Sequence, residues 1–298
     1  MDNYIGEIAA LFTAFCWTIT ATSFEFAGKK MGSLPLNIIR LFIAIIFLSI
    51  FNYFMRGIPL PTDASLSAWK WLSISGLIGF VLGDLFLFEA FVRIGSRISL
   101  LIMASVPPLT ALLSFFILDE LMTGSQLIGM LITLVGIALV ILVKGNGKGN
   151  IKLSHPIKGL LFALGGAIGQ SLGLILSKLG MADYDAFAAT QIRVLAGILG
   201  FAIVFTVKRN WGSVVRAFDH KRAILVLTLG AFFGPFLGVA LSLVSLQYTS
   251  AGVASTIMAI TPVLIIPFSI FIHKEKVTIK EALGALLTVV GVAYIFMK

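Results

Sequence analysis

The sequence predicts an all-α, polytopic membrane protein with ten transmembrane helices, arranged as two inverted five-helix repeats. Of its 298 residues, 59% are hydrophobic and only 12% are charged, whereas about 25% of residues are charged in typical soluble domains. The apolar residues form runs of about 20, which is long enough to cross a bilayer. Most Lys and Arg residues lie in the loops between these runs, and the two halves of the chain resemble each other.

Ten apolar segments can be placed in order along the chain. The first five lie at about 4–28, 36–55, 69–92, 98–118 and 124–143, and the second five at about 157–179, 186–207, 222–247, 250–272 and 278–297. The first segment is too long for the core of a signal peptide, so we expect it to remain as a spanning helix. The Gly-rich stretch 144–150 predicts a linker. We therefore expect one repeat over 1–143, a linker over 144–155 and a second repeat over 156–298.

The duplication is visible when the chain is shifted by 155 residues against itself. This shift places 101–104 on 256–259, Gly79 on Gly234, Gly83 on Gly238, Pro107 on Pro262, Glu120 on Glu275, Gly129 on Gly284 and Gly136 on Gly291. Arg40 matches Arg193 at a slightly shorter shift. Chance readily aligns Leu with Ile, but it does not align Pro, Glu and several Gly in register. Because five spans is an odd number, the second half enters the membrane in the opposite sense, which predicts a site between the halves near the midplane and alternating access to it.

Composition also argues against several classes of protein. Cys16 is the only cysteine, so no disulfide scaffold is expected. The three histidines lie in or beside predicted loops without metal-ligand spacing, and no phosphate-binding loop is present, so we expect no enzyme activity and no cofactor or metal. The net charge of +9 is interpreted as basic loops retained in the cytoplasm rather than as a nucleic-acid surface.

Small residues and prolines recur at matching positions in both halves. They are Gly79 with Gly83, Gly234 with Gly238, and Pro107 with Pro262. A glycine pair four residues apart lets a neighbouring helix approach closely, which suits either tight packing or a sliding contact. Each proline removes an amide donor within helix four or nine. This predicts either an ordinary kink, or a hinge with exposed carbonyl groups in a transport pathway.

Charged side chains inside apolar segments are costly, and they therefore point to function or pairing. Asp84 lies well inside helix three with no base one turn away on the same helix, which favours a place in the substrate pathway. Glu89 and Arg93 have the spacing of an i,i+4 ion pair near the interface. Glu25 lies near the end of helix one, where it is either part of the pathway or simply interfacial.

Arg40 and Arg193 occupy matching positions in the second helix of each half. Each could bind an anionic substrate group, pair with a carboxylate or reach lipid phosphate. Arg193 lies deeper and is the better candidate for substrate binding. The rival hypothesis for Arg193 is an internal pair with Asp183 or Asp185.

Two further side chains lie mid-helix in the first helix of each half. Gln170 roughly matches Thr20, and its amide could orient a substrate or bind another helix. Trp17 lies far from the interfacial belts where tryptophan is usually enriched, so it could form a cavity wall or pack in the core.

The order of motifs resembles the drug/metabolite transporter superfamily, specifically its ten-helix EamA type. The second half carries Leu246-Gln247-Tyr248-Thr249-Ser250-Ala251-Gly252-Val253-Ala254 followed by Pro262, Glu275, Gly284 and Gly291, and the first half carries Ala90, Ser96, Ser99, Pro107, Glu120, Gly129 and Gly136. The resemblance implies a secondary transporter of a small-molecule substrate, often an exporter, without a nucleotide or metal cofactor. We expect a monomer or homodimer surrounded by lipid in the plasma membrane.

Within transport, the sequence leaves the substrate open. We expect export of a small polar or amphipathic metabolite, such as an amino acid or a related compound, by proton coupling or exchange. The alternatives are efflux of lipophilic cations, if a carboxylate dominates the cavity, and a non-transporting membrane sensor.

Charge counting and family resemblance give opposite orientations. The predicted loops on the side of the termini hold few basic residues, including Arg56, Lys70 and Lys178, whereas the other side holds most of them. The positive-inside rule then places both termini outside, while the resemblance implies termini inside.

Overall fold

The computed structural model describes residues 4–117, 124–144, 151–153, 155–248, 254, 257–271, 274 and 277–296. In the first half these residues form α1 (Ile5–Met31), α2 (Ser33–Arg56), α3 (Leu66–Gly76), the π-helix π1 (Leu77–Gly83), α4 (Asp84–Met103), α5 (Val106–Ile117) and α6 (Gly124–Ile141). Two short antiparallel strands pair at the predicted linker over 144–155: β1 (Leu142–Lys144) ends where the linker begins, and β2 (Ile151–Leu153) lies within it. The second half contains α7 (Ile157–Met181), α8 (Ala186–Val207), α9 (Trp211–Ala217), α10 (Lys221–Ala231), π2 (Phe232–Gly238), α11 (Val239–Tyr248), α12 (Thr261–Phe271) and α13 (Ile279–Phe296).

The described helices confirm the polytopic all-α fold. Six helical stretches are long and apolar enough to span a membrane, namely Ile5–Met31, Ser33–Arg56, Leu66–Met103, Ile157–Met181, Ala186–Val207 and Lys221–Tyr248. Shorter apolar helices cover Leu127–Val140 and Thr261–Phe271. Gly32 and Gly95 have φ of 88° and 80°, a backbone conformation that glycine adopts without steric cost. These two glycines turn the chain between spans one and two and between spans three and four.

The two repeats have the same construction and interlock. The helix α3–π1 packs against α7, as α10–π2 packs against α1, so the third span of each half contacts the first span of the other half. The shift of 155 residues carries π1 onto π2, and a shift of 153 carries the start of α2 onto the start of α8. Equivalent contacts match Gln170 to Trp17: a β-carbon at Gly83 would lie 3.4 Å from the backbone of Gln170, and one at the equivalent Gly238 would lie 3.1 Å from the Trp17 side chain. This match replaces the rough match of Gln170 to Thr20.

Helices four and nine are interrupted, which differs from the predicted continuous spans 98–118 and 250–272. The chain forms turns at Ala104 and Ser105 and again at 259–260, and new helices begin at Val106 and Thr261. Pro107 and Pro262 therefore lie in the first turn of a helix, where a missing amide hydrogen costs little because no helical acceptor is available. The prolines begin α5 and α12 rather than kink a continuous helix.

Helices α6 and α13 form a close pair at the periphery of the described chain. A β-carbon at Gly136 would lie 2.5 Å from Oγ1 of Thr288, and one at Gly291 would lie 2.6 Å from Oγ1 of Thr133. Both threonine hydroxyls donate to carbonyls of their own helix, so the contact buries no free donor. The matched residues Glu120 and Glu275, together with 249–253 of the quoted motif, lie outside the described residues.

Candidate functional site

A cavity lies between the two halves, at the level where both π-helices end. It is lined by residues of α1, α2, π1 and α4 from the first half and of α7, α8, π2 and α11 from the second. Its volume is about 180 Å³, below the roughly 300–1,000 Å³ of pockets for drug-sized ligands. The cavity therefore suits a small molecule.

The interruptions in helices four and nine both face this cavity. Ala104 and Val106 line it from the first half, and Ala259 and Thr261 from the second, together with the two prolines Pro107 and Pro262. Non-helical backbone at membrane depth is tolerated where it lines a cavity or is buried in protein. Each break also directs the amino-terminal end of a helix, which carries partial positive charge, towards the centre of the molecule.

A buried ion pair forms one wall of the cavity. Nη2 of Arg40 lies 2.6 Å from Oδ2 of Asp84, and both side chains are almost fully buried. Nε2 of Gln170 donates to the other carboxylate oxygen at 2.6 Å, and Oδ1 of Asn37 accepts from Arg40 at 3.2 and 3.3 Å. Hydrogen bonds to the remaining donors and acceptors are what make a buried ion pair tolerable. The network joins α2 and α4 of the first half to α7 of the second.

Three phenylalanines surround the Arg40 guanidinium. Its central carbon lies 4.6 Å from the ring centroid of Phe88, 5.4 Å from that of Phe80 and 5.9 Å from that of Phe24. The negative face of an aromatic ring attracts a cation at such distances. All three rings also line the cavity, so the charged pair is held in mostly apolar surroundings.

Arg193 lies in the same cavity and has no ion-pair partner among the described residues. It is 4% exposed, and its guanidinium carbon lies 4.9 Å from the ring centroid of Phe80. Within the described part of the chain it makes no salt bridge, and its Nε has no hydrogen-bond partner. Asp84 is the carboxylate that acts on it electrostatically, although that carboxylate is already bound to Arg40.

The rival hypothesis, an internal pair of Arg193 with Asp183 or Asp185, was wrong, because no such pair forms among the described residues. The carboxylate of Asp185 instead accepts from the amide of Ala188 at 2.8 Å and caps the start of α8. Arg193 lies about two turns further along the same helix, facing the cavity. The described lining thus contains two arginines and one carboxylate, and its formal charge is +1.

Five of the six residues predicted for the pathway line this cavity, namely Trp17, Arg40, Asp84, Gln170 and Arg193. Of the six predicted packing or hinge residues, Gly234, Pro107 and Pro262 also line it. The other three, Gly79, Gly83 and Gly238, lie at contacts between helices. A β-carbon at Gly83 would lie 3.3 Å from the backbone of Gly169, and one at Gly238 would lie 3.2 Å from Nε1 of Trp17.

Glu25 is the exception among the predicted pathway residues, because it does not belong to the described lining. It is fully buried, lies 2.5 Å from Nζ of Lys29 and accepts a hydrogen bond from the amide of Ser96 at 2.6 Å. Ser96 follows the turn at Gly95, so Glu25 binds the backbone where span four begins. Glu89 does pair with Arg93, at 2.7 Å.

A polar cluster joins the two halves at the end of α2. Arg56 pairs with Asp63, Tyr184 donates to Asp63 at 2.8 Å, and Gln247 donates to the carbonyl of Tyr184 at 2.9 Å. Burial alone would raise the pKa of Asp63, but the hydrogen bond from Tyr184 and the Arg56 guanidinium together hold it below its usual value. Burial, followed by the bond to Asp63, raises the pKa of Tyr184 to about 12.

Sequence reasoning missed Asn37 and the aromatic surroundings of Arg40. Asn37 could have been found from its i,i+3 spacing to Arg40 on a predicted helix. The phenylalanines gave no signal, because apolar residues fill every span.

The fold is that of a polytopic membrane protein built from two inverted repeats around a central cavity. The chain belongs to the EamA-like transporter family, whose family model matches residues 4–142 and again residues 157–297. This match, found once in each half, agrees with the duplication seen in the sequence.

Relatives of known name are themselves described only as transporters. An uncharacterized transporter of Clostridium kluyveri is 25% identical over 60% of this chain and 56% of its own length, and one of Bacillus subtilis is 28% identical over 42% and 36%. The match thus covers about half or less of these two relatives. An uncharacterized transporter of Synechocystis is 26% identical over 78% of this chain and 72% of its own length. A crystal structure of a protein with 18% identity superposes with a TM-score of 0.60 over 96% of this chain and 95% of that one, which shows a shared fold.

Proposed function

We propose that the protein is a secondary transporter of small organic anions, which bind in the central cavity and cross the membrane by alternating access. The observation that carries this proposal is Arg193, a buried guanidinium in the cavity without an ion-pair partner among the described residues. A buried charge is retained when something offsets its desolvation, and an anionic group of a substrate would do so through charge-assisted hydrogen bonds.

The net charge of the cavity favours the anion hypothesis over efflux of lipophilic cations. Lipophilic-cation efflux would require an unpaired carboxylate, whereas the carboxylate of Asp84 is bound to Arg40 and Gln170. A cation entering the cavity would meet a formal charge of +1 in surroundings of low dielectric constant, where repulsion is strong. An anion would bring the site to neutrality. The apolar rings around the charges favour a substrate that also carries an apolar part.

The coupling mechanism and direction are part of the same proposal. Asp84 is the one carboxylate in the described lining, and it is therefore the candidate proton-binding group. Export across the plasma membrane, with protons or a second anion moving in exchange, agrees with the two inverted bundles around a central site. The bacterial origin of the relatives supports the plasma membrane as the location.

Uptake into proteoliposomes tests this function directly. Purified protein is reconstituted and offered a panel of radiolabelled monocarboxylates, amino acids and lipophilic cations, with and without an imposed pH gradient. We expect uptake of at least one organic anion, and a loss of more than about tenfold in Arg193→Gln. Arg216→Gln is the matched control, because Arg216 is exposed outside the cavity and its replacement should leave uptake unchanged. Transport of cations but not anions would refute the proposal.

A further inference from the structure

The two halves differ at one chemically decisive position. The π-helices π1 (Leu77–Gly83) and π2 (Phe232–Gly238) are equivalent at the shift of 155 residues, and the next residues are Asp84 and Val239. Each of these residues begins the following helix. The backbone N–H of Asp84 donates to the carbonyl oxygen of Gly79, and that of Val239 donates to the carbonyl oxygen of Gly234. Asp84 and Val239 are therefore structural equivalents, and both line the cavity.

The arginines of the two halves are equivalent as well. Arg40 and Arg193 match at the shift of 153 residues that relates α2 to α8. Helix α2 packs against α4, which begins at Asp84, and α8 packs in the same way against α11, which begins at Val239. The symmetric arrangement would contain two arginine–aspartate pairs. One pair is present, and where symmetry would place the second carboxylate the chain has Val239, which lines the same cavity as Arg193.

We propose that the carboxylate of the substrate occupies the place that valine leaves open, and that it binds Arg193 as Asp84 binds Arg40. This inference rests on the proposed function and specifies its substrate class as organic monocarboxylates. One carboxylate neutralises the charge of +1, whereas a dianion would leave the cavity negative. The contact of the Asp84 carboxylate with Arg40 thus shows the geometry in which the substrate carboxylate would bind Arg193.

The equivalence also specifies the surroundings of the bound group. Asp84 is held by the guanidinium of Arg40 on one side and by Gln170 on the other. The repeat partner of Gln170 is Trp17, which lines the cavity and carries an indole N–H that can donate to an oxygen atom. We therefore expect one carboxylate oxygen of the substrate to bind Arg193 and the other to bind Trp17.

The test supplies the missing carboxylate within the chain. The variant Val239→Asp is compared with Val239→Asn, which has nearly the same shape but no charge, and each is also made in the Arg193→Gln background. Melting temperature is measured in detergent with and without benzoate, and benzamide serves as the neutral control ligand. Phenylphosphonate, at a pH where it carries two charges, tests the preference for a monoanion.

The inference predicts that Val239→Asp melts at a higher temperature than Val239→Asn when Arg193 is present, and at a lower temperature when it is replaced. Benzoate should raise the melting temperature of the wild type, with its affinity weakened at least about tenfold in Val239→Asp and in Trp17→Phe. Benzamide and the dianion should have little effect. The inference would be overturned if the same variant, Val239→Asp or Val239→Asn, melted at the higher temperature with and without Arg193. Undiminished benzoate binding in Val239→Asp would also overturn it.

The uptake measurement separates this result from a failure of the proposed function. If the Arg193-dependent stabilisation is found but no organic anion enters proteoliposomes, the pairing is right and transport is refuted. If anions are transported equally by Val239→Asp and the wild type, transport stands and the shared carboxylate position is refuted.

Discussion

Replacing Asp84 by Asn should destabilise the protein more than replacing its partner Arg40 by Met. Asn at position 84 leaves two buried guanidinium groups and no carboxylate in the described cavity, so the formal charge rises to +2. Met at position 40 leaves Asp84 beside Arg193, whose electrostatic interaction with it is already present, and the formal charge falls to zero. The two variants remove the same ion pair but have opposite electrostatic consequences.

The expected magnitude follows from the burial of the pair. Breaking a buried ion pair by removing one partner costs about 3–5 kcal/mol, and Asp84→Asn should approach this range. In Asp84→Asn, Arg40 still contacts Asn37 and the faces of Phe24, Phe80 and Phe88. Because a desolvated cation–π contact contributes about 2 kcal/mol, the decrease in the free energy of unfolding should lie near the lower end of this range. Arg40→Met should cost less, because Asp84 can turn to Arg193.

A double-mutant cycle measures this coupling. The free energy of unfolding is determined in detergent for the wild type, both single variants and the double variant Arg40→Met/Asp84→Asn. The double variant should be more stable than Asp84→Asn alone, since it removes one of the two uncompensated charges. Additive losses, or a single Arg40→Met variant less stable than Asp84→Asn, would refute the electrostatic reasoning.

Two further predictions concern packing and pH. A β-carbon at Gly169 would lie 2.6 Å from Cα of Gly83, so Gly169→Ala should lower the free energy of unfolding by about 1–3 kcal/mol. The control is Gly212→Ala, which has nothing within 4 Å of the new carbon and should change the free energy of unfolding by less than about 0.5 kcal/mol. Equal effects of the two substitutions would contradict the close helix contact. The lowered pKa of Asp63 means that its ionised form stabilises the folded state above the unfolded pKa of about 3.9. The difference in melting temperature between wild type and Asp63→Asn should therefore stay constant from about pH 5 to pH 8 and close only as the pH falls below about 4; a difference that closes near neutral pH would be inconsistent with this pKa.

Much of the architecture could be predicted because its signals are local or periodic. The hydrophobic runs had to become membrane-spanning helices, since backbone groups in lipid must be satisfied within the segment. The constant shift also gave the repeat and the equivalence of Arg40 with Arg193. Pro107 and Pro262 were identified in the sequence, but the helix breaks before them were not, because a proline can either kink a helix or begin one. Which of the two occurs depends on whether a cavity or protein surrounds the backbone groups left without helical partners.

The pairing of the charges was decided by the tertiary structure. Asp84 has no base on its own helix, and only the packing of α2 and α7 against it brings Arg40 and Gln170 within hydrogen-bond distance. The same packing leaves Arg193 without an ion pair in the described chain, while Glu25 accepts a hydrogen bond from the backbone amide of Ser96 outside the cavity lining. The sequence by itself determined which charges must enter the membrane. Which of them are neutralised there depended on contacts between residues far apart in the chain, because the inverted packing of the halves sets which carboxylate meets which arginine.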